Sequence, residues 1–203
     1  FWAGLLGFAA AWTRAHGGLL FIPLVFAVLR QFNWRDIKNS LTISRVIQAV
    51  WSLLPLAGYL MWRFSHLGEG WAALQSFYFG RGVFSIFESI ASWKQAFVYA
   101  GTVESGMVYF IIEAGSVLLA LTASLFLLRK DPEVALFSLA IIMFSAVSGS
   151  AQSEARYMLT APAMFIFLAL LGRNKTFDRA WTLLSILLLG MSLMLFSFDM
   201  WVG

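Results

Sequence analysis

An all-α, polytopic transmembrane bundle is the fold class this sequence predicts, and three observations predict it. Hydrophobic residues make up 61% of the chain and charged residues only 12%, against roughly 45–50% and about 25% in water-soluble domains. Mean hydropathy is +0.81. Apolar runs alternate with short polar breaks along 203 residues, which gives room for about six or seven crossings of roughly 20 residues each in a single domain, 1–203. No internal repeat or low-complexity tract divides it.

The elements follow in order. Residues 1–12 form an apolar helix that stops at Thr13-Arg14-Ala15-His16-Gly17-Gly18, and 19–29 form a second short run ending at Arg30. Two short helices meeting at a polar, glycine-containing break are tolerated at membrane depth only where the break is buried in protein or lines a cavity. The stretch 30–45 holds Arg30, Arg35, Lys38 and Arg45 against Asp36 alone and reads as a cytoplasmic loop. A span over 46–62 carries Pro55 and Gly58 as kink or packing points. From 63 to 106 charges of both signs are spread among many aromatic residues, as in amphipathic helices lying along an interface. The clearest full span is 107–128, closed by Arg129-Lys130-Asp131-Pro132. Then come 134–147, the polar turn 148–156, a run over 157–171, a basic loop 173–179 and a last span over 181–196. Phe1 opens inside an apolar run without an initiator Met, a basic n-region or a small-residue cleavage site, so the chain is expected to be the C-terminal portion of something longer.

Alternating these spans puts Arg30, Arg35, Lys38, Arg45, Arg129, Lys130, Arg173, Lys175 and Arg179 on one side. An excess of Lys and Arg marks the cytoplasmic side, so loops 30–45, 129–133 and 172–180 should be cytoplasmic. The segment 63–106 and the turn 148–156 then face the opposite, extracytoplasmic side. Any chemistry belongs there.

Arg14 and His16 sit in the first break, where an ionisable group needs a partner or a ligand to offset the cost of burial. A guanidinium offers paired donors to phosphate, so a lipid-linked phosphate is a fitting guest; the competing account is an arginine snorkelling to headgroups. Arg156-Tyr157 places a cation and a phenol just after the outer turn, either beneath a phosphorylated lipid head or as an ordinary interface anchor. Gln152 and Glu154 would bind sugar hydroxyls or simply be solvated. Arg81 and Glu88, seven residues apart, share a face if their helix is continuous, with aromatic neighbours that suit a sugar or a lipid. Glu113, inside the 107–128 span, should face the bundle, with a nearby arginine as its expected partner.

Other chemistries lack their residues. The chain has no cysteine and two histidines, His16 and His66, far apart, so no metal site is predicted. There is no GxxxxGK[ST] loop for a nucleotide and no GxSxG elbow for a hydrolase. No cofactor is expected. The basic residues flank apolar runs rather than forming a soluble basic face, which argues against nucleic acid.

The string Trp12-Thr13-Arg14-Ala15-His16-Gly17-Gly18-Leu19-Leu20 ahead of Pro23 resembles the "TRxxG" segment of the PIG-V type mannosyltransferases, integral membrane glycosyltransferases of the GT-C fold. Ala155-Arg156-Tyr157-Met158-Leu159 with Pro162 is similar to their "RYLL…P" segment, and Gln75 followed by Phe79-Gly80-Arg81 to a "Q…WGR" element. Departures are Phe79 where the family carries Trp, Ala155 where a proline is often found, and Pro162 about one residue early. The resemblance implies transfer of a sugar, mannose in such enzymes, from a polyprenyl-phosphate carrier to an acceptor at the outer surface of a bacterial plasma membrane or the lumenal surface of the endoplasmic reticulum. Arg14, Arg81 and Arg156 would stabilise the carrier phosphate, and the catalytic acid would lie upstream of Phe1, so no residue here is assigned to it. Two other classes stand beside it: a non-catalytic scaffold subunit of a larger membrane complex, with small-residue contacts such as Ala120 and Ser124 for close helix approach, and a transporter, for which no second helix break matches 13–18.

Overall fold

The computed structural model describes residues 1–31, 42–82, 84–102 and 104–198, and every regular element among them is helical. Helix α1 (Trp2–Thr13) ends at Arg14, whose backbone is extended, and a 3₁₀ turn (Ala15–Leu20) leads into α2 (Phe21–Arg30). The break thus falls where the polar and glycine residues predict it. Gly17 is required there: a Cβ would stand 2.4 Å from the Ala10 carbonyl, so any side chain would push the turn off α1.

Helices α3 (Ile43–Ser52) and α4 (Leu54–Arg63) follow one another with only Leu53 between, because Pro55 has no N–H to continue the ladder. Together they form a 21-residue apolar stretch, Ile43–Arg63. Helix α5 (His66–Phe79) starts on Ser65, whose Oγ accepts from the Gly68 N–H at 3.3 Å, and stops at Gly80 in the left-handed conformation. Then come α6 (Ile86–Thr102), the long α7 (Glu104–Leu127), α8 (Pro132–Ala146), the short α9 (Glu154–Met158), α10 (Pro162–Leu171) and α11 (Lys175–Ser197).

The buried apolar clusters lie among α7, α8 and α10. Ala123 and Leu127 of α7 meet Ala135 of α8 and Ala163 and Met164 of α10, while Ala120, Ile142, Met158 and Ala161 form a second cluster beside them. Small residues let these backbones approach so that dispersion contacts hold the helices without help from water. The Ser138 hydroxyl accepts the Ala163 N–H at 3.0 Å, satisfying one of the orphan donors at the start of α10. Ala120 and Ser124 are fully buried inside this cluster, so the small residues expected to serve a neighbouring subunit serve the chain's own bundle. Elsewhere α1 lies against α4, and α2 and the 3₁₀ turn lie against α8, which joins the N-terminal helices to the C-terminal group.

Among the described residues three stretches are long and apolar enough to cross a membrane: Ile43–Arg63, Gly106–Leu127 and Lys175–Met194. Ala15–Arg30, Pro132–Ala146 and Pro162–Leu171 are apolar but shorter. The expected six or seven full-length spans are therefore three by this measure, because prolines and the glycine break cut the remaining apolar sequence short. The run expected over 157–171 splits, since Pro162 cannot donate to the Met158 carbonyl and restarts the helix. The expected basic loop 173–179 is mostly helix: Asn174 Oδ1 accepts from the N–H groups of Thr176 (2.9 Å) and Phe177 (3.4 Å) and caps α11 two residues after the turn begins. Arg35 and Lys38, called cytoplasmic, lie outside the described residues.

Candidate functional site

The C-terminal ends of α1, α4, α5 and α8 surround one cavity of about 810 Å³, and the turn 147–157 supplies its remaining wall. That turn is held by two carboxylates. Glu113, reaching from α7, accepts the N–H groups of Ser153 (2.8 Å) and Ala155 (2.7 Å). Ser153 has φ of +63°, a conformation that costs a residue with a Cβ roughly 1–2 kcal/mol, and the two bonds from Glu113 offset it. Glu113 was expected to pair with an arginine; its hydrogen bonds go to backbone, because the first turn of α9 offers unpaired N–H groups to an anion.

Glu154, the second carboxylate, is 1% exposed and accepts from the Ser145 hydroxyl at 2.5 Å, with Arg81 at 3.7 Å from its other oxygen. Burial pushes its carboxyl above the usual range, while the Ser145 hydroxyl and the Arg81 charge act in the opposite direction. Glu154 is therefore neither solvated nor placed to bind a sugar hydroxyl: it holds the cavity wall together.

Arg81 is held just as firmly. Its guanidinium donates to Ser148 Oγ at 2.9 Å and to the Gln152 carbonyl, and lies 4.5 Å from the centre of the Tyr157 ring. Around it, the Gly82 N–H donates to the Ser148 carbonyl (2.8 Å), and Ser89 and Ser92 of α6 accept from the N–H groups of Gly149 (2.7 Å) and Ala151 (2.9 Å). The corner between α5 and α6 is thus stitched to the turn 148–152. Because α5 ends at Phe79 and α6 begins at Ile86, Arg81 and Glu88 do not share a helix face, as expected for a continuous helix. Glu88 is exposed at the start of α6 and is not on the cavity.

Arg14, His16, Arg81, Gln152, Arg156 and Tyr157 all line the cavity. His16 is 6% exposed, sits edge-on to Tyr157 (5.5 Å between centroids) and to Phe144 (5.8 Å), and its Nδ1 has no hydrogen-bond partner. The chain matches no family model, no curated protein and no solved structure. Its site must be read from its own residues. Those missed in the sequence are Tyr59, Trp62 and Arg63 at the end of α4 and Ser145 and Ser148 at the end of α8. Arg63 had the same signal as Arg156, a cation at the end of an apolar run, but no turn or glycine to mark it. Ser148 opens the polar turn 148–156, while Ser145, inside the apolar run before it, carries no signal.

Among the described residues no group of three metal-ligating side chains occurs. What the cavity offers is cationic and aromatic: Arg14, Arg63, Arg81 and Arg156 together with Tyr59, Trp62 and Trp71. Of the four cations only Arg81 has a carboxylate within 4.0 Å among the described residues. Such a set can grip an anionic group and stack a flat apolar or sugar face beside it.

Proposed function

We propose that this protein is a multi-pass membrane glycosyltransferase of the mannosyltransferase kind, moving a sugar from a polyprenyl-phosphate carrier to an acceptor on the extracytoplasmic or lumenal side. The observation that carries the reading is the meeting of four arginines on one cavity, three of them without a carboxylate partner among the described residues. Like charges gathered around one cavity repel one another, a cost relieved when an anion enters.

Depth supports a lipid-borne anion. At one end of α2 and α8, Arg30 pairs with Glu133 at 3.3 Å, beside Arg129 and Lys130. The cavity lies at the other end of α8, which at 15 residues is about 22 Å long, short of the roughly 30 Å hydrocarbon core. With the Arg30 end at the cytoplasmic interface, the cavity floor sits below the outer headgroups. A phosphate on a prenyl chain reaches it along the lipid. In this arrangement Ala15–Arg30, Pro132–Ala146, Pro162–Leu171 and α1 join the three long stretches as crossings, giving the six or seven of a GT-C-like bundle.

The three segments that resemble the PIG-V type mannosyltransferases also support the reading, since Thr13 and Arg14, Gln75, Phe79 and Arg81, and Arg156 and Tyr157 all line this cavity. In the reaction the bond from the anomeric carbon to the phosphate oxygen breaks, its electron pair stays on the phosphate, and the acceptor oxygen bonds to the sugar as its proton leaves. The arginines that have no carboxylate partner among the described residues oppose the negative charge that accumulates on the departing phosphate.

The test uses the protein in its native membranes, supplied with polyprenyl phosphate carrying radiolabelled mannose. Label passing into acceptor lipid or protein, and lost in Arg156→Ala, is the expected result. An unchanged donor in both would return the protein to the scaffold reading.

A further inference from the structure

The four arginines on the cavity are not equivalent. Arg81 is 10% exposed in its side chain; its guanidinium donates to Ser148 Oγ and to the Gln152 carbonyl, and its charge faces the Glu154 carboxylate at 3.7 Å. A guanidinium so buried, donating from both terminal nitrogens and facing a carboxylate, has its charge already answered before a guest arrives. Arg14 and Arg156 are exposed and Arg63 is half-buried, and none of these three makes a side-chain hydrogen bond or ion pair among the described residues. Arg63 ends α4, next to Trp62, and lies some 50 residues along the chain from the nearest of the other two, Arg14. It nevertheless lines the same cavity.

We propose that Arg63, with Arg14 and Arg156, grips the carrier's phosphate, whereas Arg81 is a strut that joins the α5–α6 corner to the turn 148–154 and leaves the phosphate to the other three. The assignment rests on the proposed function, because it names the ligands of that same phosphate. Its physical basis is competition. An arginine with a buried carboxylate and two oxygen acceptors gains little from a second anion, while an unpaired one keeps its whole fork of donors for it. Arg63 also adds what the resemblance alone would not supply, a cation from the N-terminal helices on the side of the cavity lined by Tyr59 and Trp62. A phosphate held there has an aromatic surface beside it for the first carbons of the prenyl chain or for the sugar.

Binding of farnesyl phosphate to the detergent-solubilised protein, read by the change in tryptophan fluorescence, tests this, with farnesol as the uncharged control. Arg63→Gln should weaken farnesyl phosphate about 10- to 100-fold, the effect of losing one charge-assisted hydrogen bond, and leave farnesol unchanged. Arg63→Lys should recover part of the loss, since an ammonium keeps the charge without the fork. Arg81→Gln should lower the unfolding temperature, yet the protein that remains folded at low temperature should bind with less than a threefold change. If Arg63→Gln binds like the unaltered protein while Arg14→Gln does not, the assignment of Arg63 falls and the proposed function stands. Failure of the unaltered protein to bind farnesyl phosphate more tightly than farnesol would overturn both.

Discussion

Glu113 and His16 are both ionisable groups placed among apolar helices, and the structure gives them opposite duties. Glu113 spends both oxygens on the N–H groups of Ser153 and Ala155. In Glu113→Gln the amide nitrogen would face one of those donors, so one bond is lost and a buried N–H is left unmet, at about 1–3 kcal/mol. The expected outcome is an unfolding temperature several degrees lower, followed by tryptophan fluorescence in detergent, with Glu113→Asp falling too because its shorter arm does not reach. His16 makes no such bond: its ring contacts are aromatic and Nδ1 is unpartnered. His16→Phe should therefore hold the unfolding temperature within about two degrees and lose sugar transfer. A large drop in stability would show that the imidazole is a structural residue instead. That Arg14, His16, Arg156 and Tyr157 would stand at a break in the helices was legible from sequence, because each lies at a polar interruption of an apolar run, and the structure brings all four to one cavity. The roles of Glu113 and Glu154 were not, because a lone carboxylate in a helix or a turn does not reveal that its partner is a backbone N–H or a serine distant in the chain.

Among the elements, the break between α1 and α2 was the most readable, and its reason is local. Thr13, Arg14 and His16 are polar, and Gly17 permits the turn to press against α1, where a Cβ would meet the Ala10 carbonyl at 2.4 Å. Gly17→Ala must move that turn or distort α1, and overpacking of this kind costs about 1–3 kcal/mol. Because Arg14 and His16 ride on the same turn, the variant should lose phosphate binding along with stability, unlike Glu88→Ala on the exposed start of α6, which should change neither. Titration of farnesyl phosphate against both variants separates the two cases. The split between α9 and α10 was less readable. Its cause, Pro162, stands in plain view, but Tyr157 through Leu171 is so apolar that the run reads as continuous unless the missing N–H is allowed to break it. The early start of α11 was hidden for the converse reason. Charge from Arg173 to Arg179 suggests a loop, whereas Asn174 as a cap turns the same residues into the first turns of a helix.

For the molecule as a whole the decisive question is which way the cavity faces. Three stretches among the described residues are long and apolar enough to cross a membrane, and α11 exposes Leu183, Leu184, Ile186, Leu187, Leu188 and Leu189 at once, a surface suited to lipid rather than water. Orientation depends on charge: Arg30, Arg129, Lys130 and Arg173 lie at the ends of α2, α7 and α10 away from the cavity, and basic residues at span ends favour the cytoplasm. The chain's lack of cysteine makes this directly measurable. A single cysteine at Gln152, exposed at the cavity, should react with a membrane-impermeant maleimide on intact cells, or in sealed microsomes only after the lumen is opened. One at Arg129 should show the reverse. If both positions label from the same side, α8 does not carry the chain across the bilayer between them, and a phosphate arriving on an outer-leaflet lipid would have no route to the arginines. If they label from opposite sides but inverted, the cavity opens to the cytoplasm and the donor must be sought there. Only the expected pattern places the uncompensated cations within reach of a carrier whose sugar is presented outside, and it does so by the same fact that limits α8 to 15 residues, a helix too short to lift the cavity clear of the membrane.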